Sequence, residues 1–230
     1  MRPDFLSIEY LNFSLIWGSL RVSLISSLIS MVLIIVIGLP AGYYMATSTF
    51  KFKPAFDAIF NLPQILPPAV IGLLLLFTYG NNGFIGRHLA SIGIRTSFSV
   101  LAVVLTFVFV SLPLFINGCS LAFRRVDTRL KDVALGLGDH PTKVFYRITW
   151  PLARKGILIS FLMAWSRGLA EFGATMMFAG NLPGVTQTLP LAIYSALETN
   201  VNHALFLSFF MFALSGMVLV SVHLLSKEVK

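Results

Sequence analysis

The sequence predicts an all-α integral membrane protein that crosses the bilayer about five times. Three observations carry that reading. Of its 230 residues, 57% are hydrophobic and only 11% charged, with a mean hydropathy of +0.85, a composition that leaves too little polar surface for a soluble domain. The apolar residues gather in runs long enough to span a hydrocarbon layer of about 30 Å. Most of the basic residues behind a formal net charge of +8 lie in short loops between those runs or near their ends, which is the loop asymmetry of membrane proteins and argues against nucleic-acid binding.

Taken in order, a first span is expected over about 15–46, with Trp17 and Tyr43-Tyr44 as interfacial aromatics, Arg21 snorkelling, and a kink near Gly38, Pro40 and Gly42. A second covers about 54–79. Within it Pro63, Pro67 and Pro68 interrupt any regular helix. Irregular backbone at membrane depth needs burial in protein or a wet cavity. Asn61, Pro63, Pro67 and Pro68 are therefore candidates for lining a translocation pathway, against the plainer reading of a kinked packing helix. Gly80 to Ser97 reads as a polar loop, a third span follows over about 98–123, and a long polar stretch occupies 127–151. The fourth span is expected over about 152–179, a polar loop over 180–202 and the last span over about 203–225.

Five spans place the termini on opposite sides. Lys51, Lys53, Arg124, Arg125, Arg129, Lys131, Lys143, Arg147, Arg154, Lys155, Lys227 and Lys230 fall on one face, and Arg2, Arg87 and Arg95 on the other. The positive-inside rule then puts the N-terminus outside and the C-terminus and the 127–151 stretch in the cytoplasm of a multi-pass cell-membrane protein. The first apolar run lacks a cleavage-site pattern and reads as a retained anchor.

Several chemistries are disfavoured. The single cysteine, Cys119, allows no intrachain disulfide. The four histidines show no metal-ligand spacing, no catalytic cluster is evident, and no phosphate-binding GxxxxGK[ST] loop occurs. An ion-coupled secondary transporter is a rival, but Glu171 is the chief carboxylate within the spans and no inverted repeat is evident.

The 127–151 stretch has the logic of two short helices. Asp127 can cap the first, Leu130, Val133, Ala134 and Leu137 share one face, and Gly138 suits a left-handed cap. Pro141, preceded by Asp139 or His140, opens the second, with Val144, Phe145 and Ile148 as its apolar stripe. A solvated loop that merely stabilises the bundle is the plain alternative. Asp132-Val133-Ala134, then Gly138, then Ile148-Thr149-Trp150-Pro151 resembles the EAA loop of ABC-importer permeases at every anchor. Asp132, Val133 and Trp150 stand where that pattern has Glu, Ala and Leu. The resemblance implies contact with an ATPase through Asp132, Val133, Ala134, Gly138, Asp139, His140, Pro141, Ile148 and Pro151.

Arg167-Gly-Leu-Ala-Glu171-Phe-Gly-Ala174, Ala179-Gly-Asn-Leu-Pro-Gly184 and Thr186-Gln-Thr-Leu-Pro-Leu-Ala-Ile-Tyr194 are similar to the permease subunits of molybdate ABC importers, as is the Leu62-Pro63 to Pro68 run. The likeness covers about 19–225 as one domain. It implies a type I importer fold in a homodimer, two copies of a cytoplasmic ATPase that binds the ATP, an external molybdate-binding protein, and no cofactor on this chain. Molybdate ranks first as substrate, tungstate as a co-substrate and sulfate lower. Arg167 and Glu171, four apart on one helical face, form an ion pair whose preferred reading is a structural clasp, with attraction of a tetrahedral dianion as the alternative. Asn181, Gln187 and Thr188 are candidate contacts for the external binding protein, though this segment also has turn formers.

Overall fold

The computed structural model describes residues 13–49 and 51–227, and no strand occurs among them; Arg2 and Lys230 of the charge comparison lie outside that range. The first helix, α1 (Phe13–Thr47), runs unbroken through Pro40. It is apolar nearly all round, and its packing inverts that of a soluble helix: Ser19, Ser23, Ser26, Ser27 and Ser30 are buried, while Trp17, Val32 and Val36 are exposed. Small residues inside and large aliphatic ones outside suit a helix whose outer solvent is lipid, because they let neighbouring backbones approach.

After α2 (Lys53–Ile65) and α3 (Pro68–Tyr79) comes α4 (Gly86–Ser91), then α5 (Val100–Arg124), which is capped by Ser99. α5 runs parallel to α1. The Ser30 hydroxyl donates to the Val104 carbonyl at 3.1 Å, and twenty residues on, Arg124 donates to the Met45 carbonyl at 2.9 Å. Their close approach depends on Gly42, where a Cβ would lie 2.6 Å from that of Cys119. Helix α8 (Trp150–Leu169) returns antiparallel to α5, with Gly156 against Ala122 and Gly168 against Phe107. Met31, Ile34, Phe115, Phe123, Ile157 and Ala164 make the core among these three helices.

Several boundaries correct the sequence-based expectation. The second span is two helices bent by 110°. The cause is local: Leu66 and Pro67, each preceding a proline, hold ψ of 143° and 135°, since a following proline ring disfavours the α region. The pair still traverses the bundle. Lys53 donates to the Met45 and Ser48 carbonyls at 2.7 Å each, at the end where α1 finishes, and Thr96, just ahead of α5, donates to the Tyr79 carbonyl.

The fourth span, expected to be continuous over 152–179, breaks after Leu169 and resumes as α9 (Gly173–Phe178). The second short helix of the polar stretch is not separate: α7 (Pro141–Val144) passes through a π-turn at Phe145–Thr149 straight into α8. The loop expected over 180–202 contains α10 (Leu189–Thr199), which buries Leu189, Leu191 and Ala192. The chain closes with α11 (Val201–Lys227), most of whose surface is uncovered. Among the described residues α1, α5 and α11 are long and apolar enough to cross a membrane singly, and α2–α3 as a bent pair. α8 carries Arg154, Lys155 and Arg167 and is less apolar.

Candidate functional site

At the end where α1 and α5 finish, the chain projects a polar knob. Asp127 caps α6 (Thr128–Gly136) by accepting the Arg129 amide proton at 2.9 Å. The helix ends on Gly138 at φ +88°, where the Asp139 N–H reaches back to the Ala134 carbonyl at 3.1 Å. A side chain at that φ is strained, so glycine fits this cap. His140 caps α7 through Thr142 N–H, Pro141 takes the first turn, and Asp139 pairs with Lys143.

Of the expected apolar face, only Ala134 is buried; Val133 is 63% and Leu137 83% exposed, with Leu130 also outside. A helix this well capped that leaves leucine and valine in solvent presents an unfilled apolar surface. Asp132, His140, Pro141 and Pro151 are exposed as well, and Ile148 is half-buried. The base of the knob is rigid. Tyr43 meets Phe123 and Phe145 edge-on at 5.1 and 5.2 Å between ring centroids, tying α1, α5 and the π-turn together.

A second constellation forms where the two helix breaks meet. Pro67 and Pro68 from the α2–α3 bend and Ala170 to Gly173 from the α8–α9 break line one cleft of about 400 Å³, with Arg167 and Glu171 in its wall. Glu171 is 1% exposed. Its carboxylate accepts the Arg167 Nη1 proton at 2.7 Å and the Ala174 N–H at 2.9 Å, so it holds α8 to the start of α9. The Arg167 side chain, by contrast, is 37% exposed. One partner is locked and the other reaches the cleft.

The sequence-predicted residues thus separate. Pro67, Pro68, Arg167 and Glu171 come together; Pro63 is buried within α2 and lines a different, apolar cavity, and Asn61 lies one turn or more before the bend. Of the candidate binding-protein contacts, Gln187 is 5% and Thr188 0% exposed, and Asn181 is partly exposed. Gln187 donates to Asn181 Oδ1 at 2.9 Å, and Asn181 donates to Ser195 Oγ at 2.7 Å. These polar groups face inward to fix the turn before α10, and the outward tip is Leu182 to Val185.

Two features escaped the sequence reading. The partnering of Ala170–Gly173 with Pro67–Pro68 had no signal beyond a lone glutamate in an apolar run. Asn117 on α5, which donates to Asn61 Oδ1 at 2.6 Å, was visible only as a polar residue within a span.

The chain is thus a bundle of apolar helices in which two broken members meet at an arginine cleft and a capped knob stands at one end. The chain belongs to the binding-protein-dependent transport system inner membrane components, whose family model matches residues 38–229, and it is therefore a membrane protein rather than an enzyme. Among relatives, it is 37% identical over 204 residues to the molybdenum transport system permease protein ModB of Mycobacterium bovis, covering 89% of this chain and 77% of that one. It is 37% identical over 184 residues to ModB of Escherichia coli K12, covering 80% of each, and 38% identical to the putative molybdenum permease YvgM of Bacillus subtilis, covering 74% and 76%. Its fold matches a chain of a bacterial alginate ABC transporter with TM-score 0.72 at 14% identity, covering 94% of this chain and 80% of that one. It also matches a chain of the inward-facing MetNI methionine ABC transporter with TM-score 0.67 at 15% identity, covering 95% and 97%. At such identities the likeness concerns the type I permease fold alone.

Proposed function

We propose that this chain is the permease subunit of an ATP-driven importer that carries molybdate, with tungstate as a co-substrate, across the cytoplasmic membrane. The observation that carries the substrate is the 37% identity to molybdenum permeases over most of the chain. Sulfate is the weaker alternative. In this reading two copies enclose the route, because the spans of one copy are too few to surround a hydrated anion. The basic end is cytoplasmic by the positive-inside rule. Leu130, Val133 and Leu137 on α6, with Asp132, Ala134 and Gly138 to Pro141 around them, receive a separate ATPase subunit. An external molybdate-binding protein delivers the anion at the opposite end, where Leu182 to Val185 form the exposed tip.

The geometry supplies a means of coupling. The knob is continuous with α8 through the π-turn, and α8 ends at the Arg167 cleft, so displacement of the knob reaches the cleft through one helix. Opening and closing require contacts that differ between two states. Glu171 holds Arg167 at the cleft wall, and the guanidinium offers further N–H donors to a tetrahedral dianion. Uptake of labelled molybdate by proteoliposomes holding the assembled complex, competed by tungstate and by sulfate, tests the reading. Expected is ATP-dependent uptake blocked by excess tungstate; uptake without ATP, or preferential block by low sulfate, overturns it.

A further inference from the structure

The polar contact between α2 and α5 lies at membrane depth on an open face. Asn61 Oδ1 accepts from Asn117 Nδ2 at 2.6 Å and from Gln64 Nε2 at 2.8 Å, while Asn61 Nδ2 donates to the Asp57 carbonyl at 2.7 Å. Asn61 thereby fills both lone pairs of its oxygen and uses one of its two amide N–H groups. Asn117 and Gln64 are exposed, and each carboxamide has a second N–H and its oxygen still to satisfy. Asn117 sits seven residues before Arg124, roughly 10 Å along the helix axis from that basic end. Amides at such a depth are disfavoured against lipid, which offers no hydrogen bond.

The neighbours indicate where this face looks. Gln64 lies one turn before the Leu66–Pro67 bend, whose prolines line the cleft with Arg167. On the other side of the amides, toward the basic end, Asp57, Lys53 and Arg124 surround an open cavity of about 760 Å³. The three amides therefore stand between an arginine cleft and a polar mouth.

We propose that Asn61, Gln64 and Asn117 form a neutral hydrogen-bonding station for a tetrahedral oxyanion, between the Arg167 cleft and the basic end of the bundle, on a wet face shared with a second copy of this chain. The station rests on the function proposed above. Uncharged N–H donors suit its position: an anion leaving an arginine needs a partner that binds it and does not trap it, and conduction fails at a site that holds too tightly. Asn61 aims the other two by occupying one N–H of each and leaving the second outward.

Cysteine accessibility and uptake in the assembled complex test this together. In a Cys119→Ala background, Asn117→Cys reacts with a charged, water-soluble maleimide, and saturating molybdate slows the reaction at least threefold. Asn117→Asp, which puts a carboxylate where the anion passes, lowers molybdate uptake at least tenfold with normal assembly, whereas Asn117→Gln retains most of it. Labelling of Asn117→Cys only by a lipid-soluble reagent, or wild-type uptake by Asn117→Asp, overturns the station. A wild-type complex that moves no oxyanion defeats the underlying function in its own control, separately from a transporting complex in which position 117 is dry.

Discussion

Replacing Arg167 by Gln asks whether the ion pair at the cleft is a clasp, an anion contact, or both. Without the guanidinium, Glu171 remains 1% exposed and keeps only the Ala174 N–H. Stranding one partner of a fully buried pair costs about 3–5 kcal/mol. Here Arg167 is 37% exposed and the cleft admits water, so the expected loss is about 2–3 kcal/mol. Glu171→Gln is milder. Its amide oxygen can still accept from Ala174 and the arginine can turn to the cleft, so about 1–2 kcal/mol goes with the charge-assisted bond. The double replacement leaves no buried charge and should cost no more than Arg167→Gln alone. Thermal denaturation of the detergent-solubilised complex measures the cycle, and molybdate uptake is read on the same samples. Additive losses, or a fully stable Arg167→Gln, refute the clasp. If the double variant regains stability and stays transport-dead, Arg167 acts on the anion; if uptake returns with stability, the pair is structural only.

Three further outcomes follow from the same geometry. Gly138→Asp places a side chain at φ +88° with open space around it, so the protein should insert normally at a local cost of about 1–2 kcal/mol, yet lose ATPase-dependent uptake; wild-type uptake would make the knob a mere loop. Val133→Asp and Leu137→Asp alter side chains exposed in the isolated chain and should change its thermal stability by less than about 0.5 kcal/mol, while ATPase co-purification falls at least tenfold; undiminished recovery would place the docking surface elsewhere. Gly72→Leu meets the Ala174 carbonyl, 2.6 Å from where a Cβ would sit, and should destabilise by about 2–3 kcal/mol by prising α3 from α9. Unchanged melting of that variant would mean the two helices are not packed as described.

The sequence revealed the parts of this fold that depend on local chemistry. Asp127, Gly138 and Pro141 act where capping rules put them, and the double proline breaks the second span at the residues whose ψ it restricts. The parts it concealed are tertiary. Gly168 and Gly173 near Ala170 weaken a helix but do not by themselves end one; the carboxylate of Glu171 turns to accept from Ala174 at the start of α9 and to meet Arg167, and this partnership replaces continued helix. The polarity of Asn181 to Thr188 suggested a surface loop, yet Gln187 bonds to Asn181, Thr186 bonds to the backbone of the same turn, and Pro183 and Gly184 are left outside. α10 was hidden for the same reason, since its buried Leu189, Leu191 and Ala192 followed a polar run that masked the start of the helix.

The arrangement also decides which part of the bundle can move. α5 packs along α1 on one side and α8 on the other, with Gly42, Gly118 and Gly156 allowing close approach, and the Tyr43–Phe123–Phe145 rings lock the base of the knob to both. From Pro141 to Leu169 the chain is helical without interruption, a lever of roughly 40 Å. These elements cannot be displaced separately without opening a close-packed core, so a push on the knob carries them as one body. α2 differs: it is exposed along most of its length, reaches α5 through the Asn61–Asn117 bond and is anchored by Lys53 at its start. Its far end is Leu66–Pro67, where the backbone has already left the helix. Relative motion between the knob-bearing body and α2 therefore concentrates at that bend, which is also the wall of the cleft that faces Arg167.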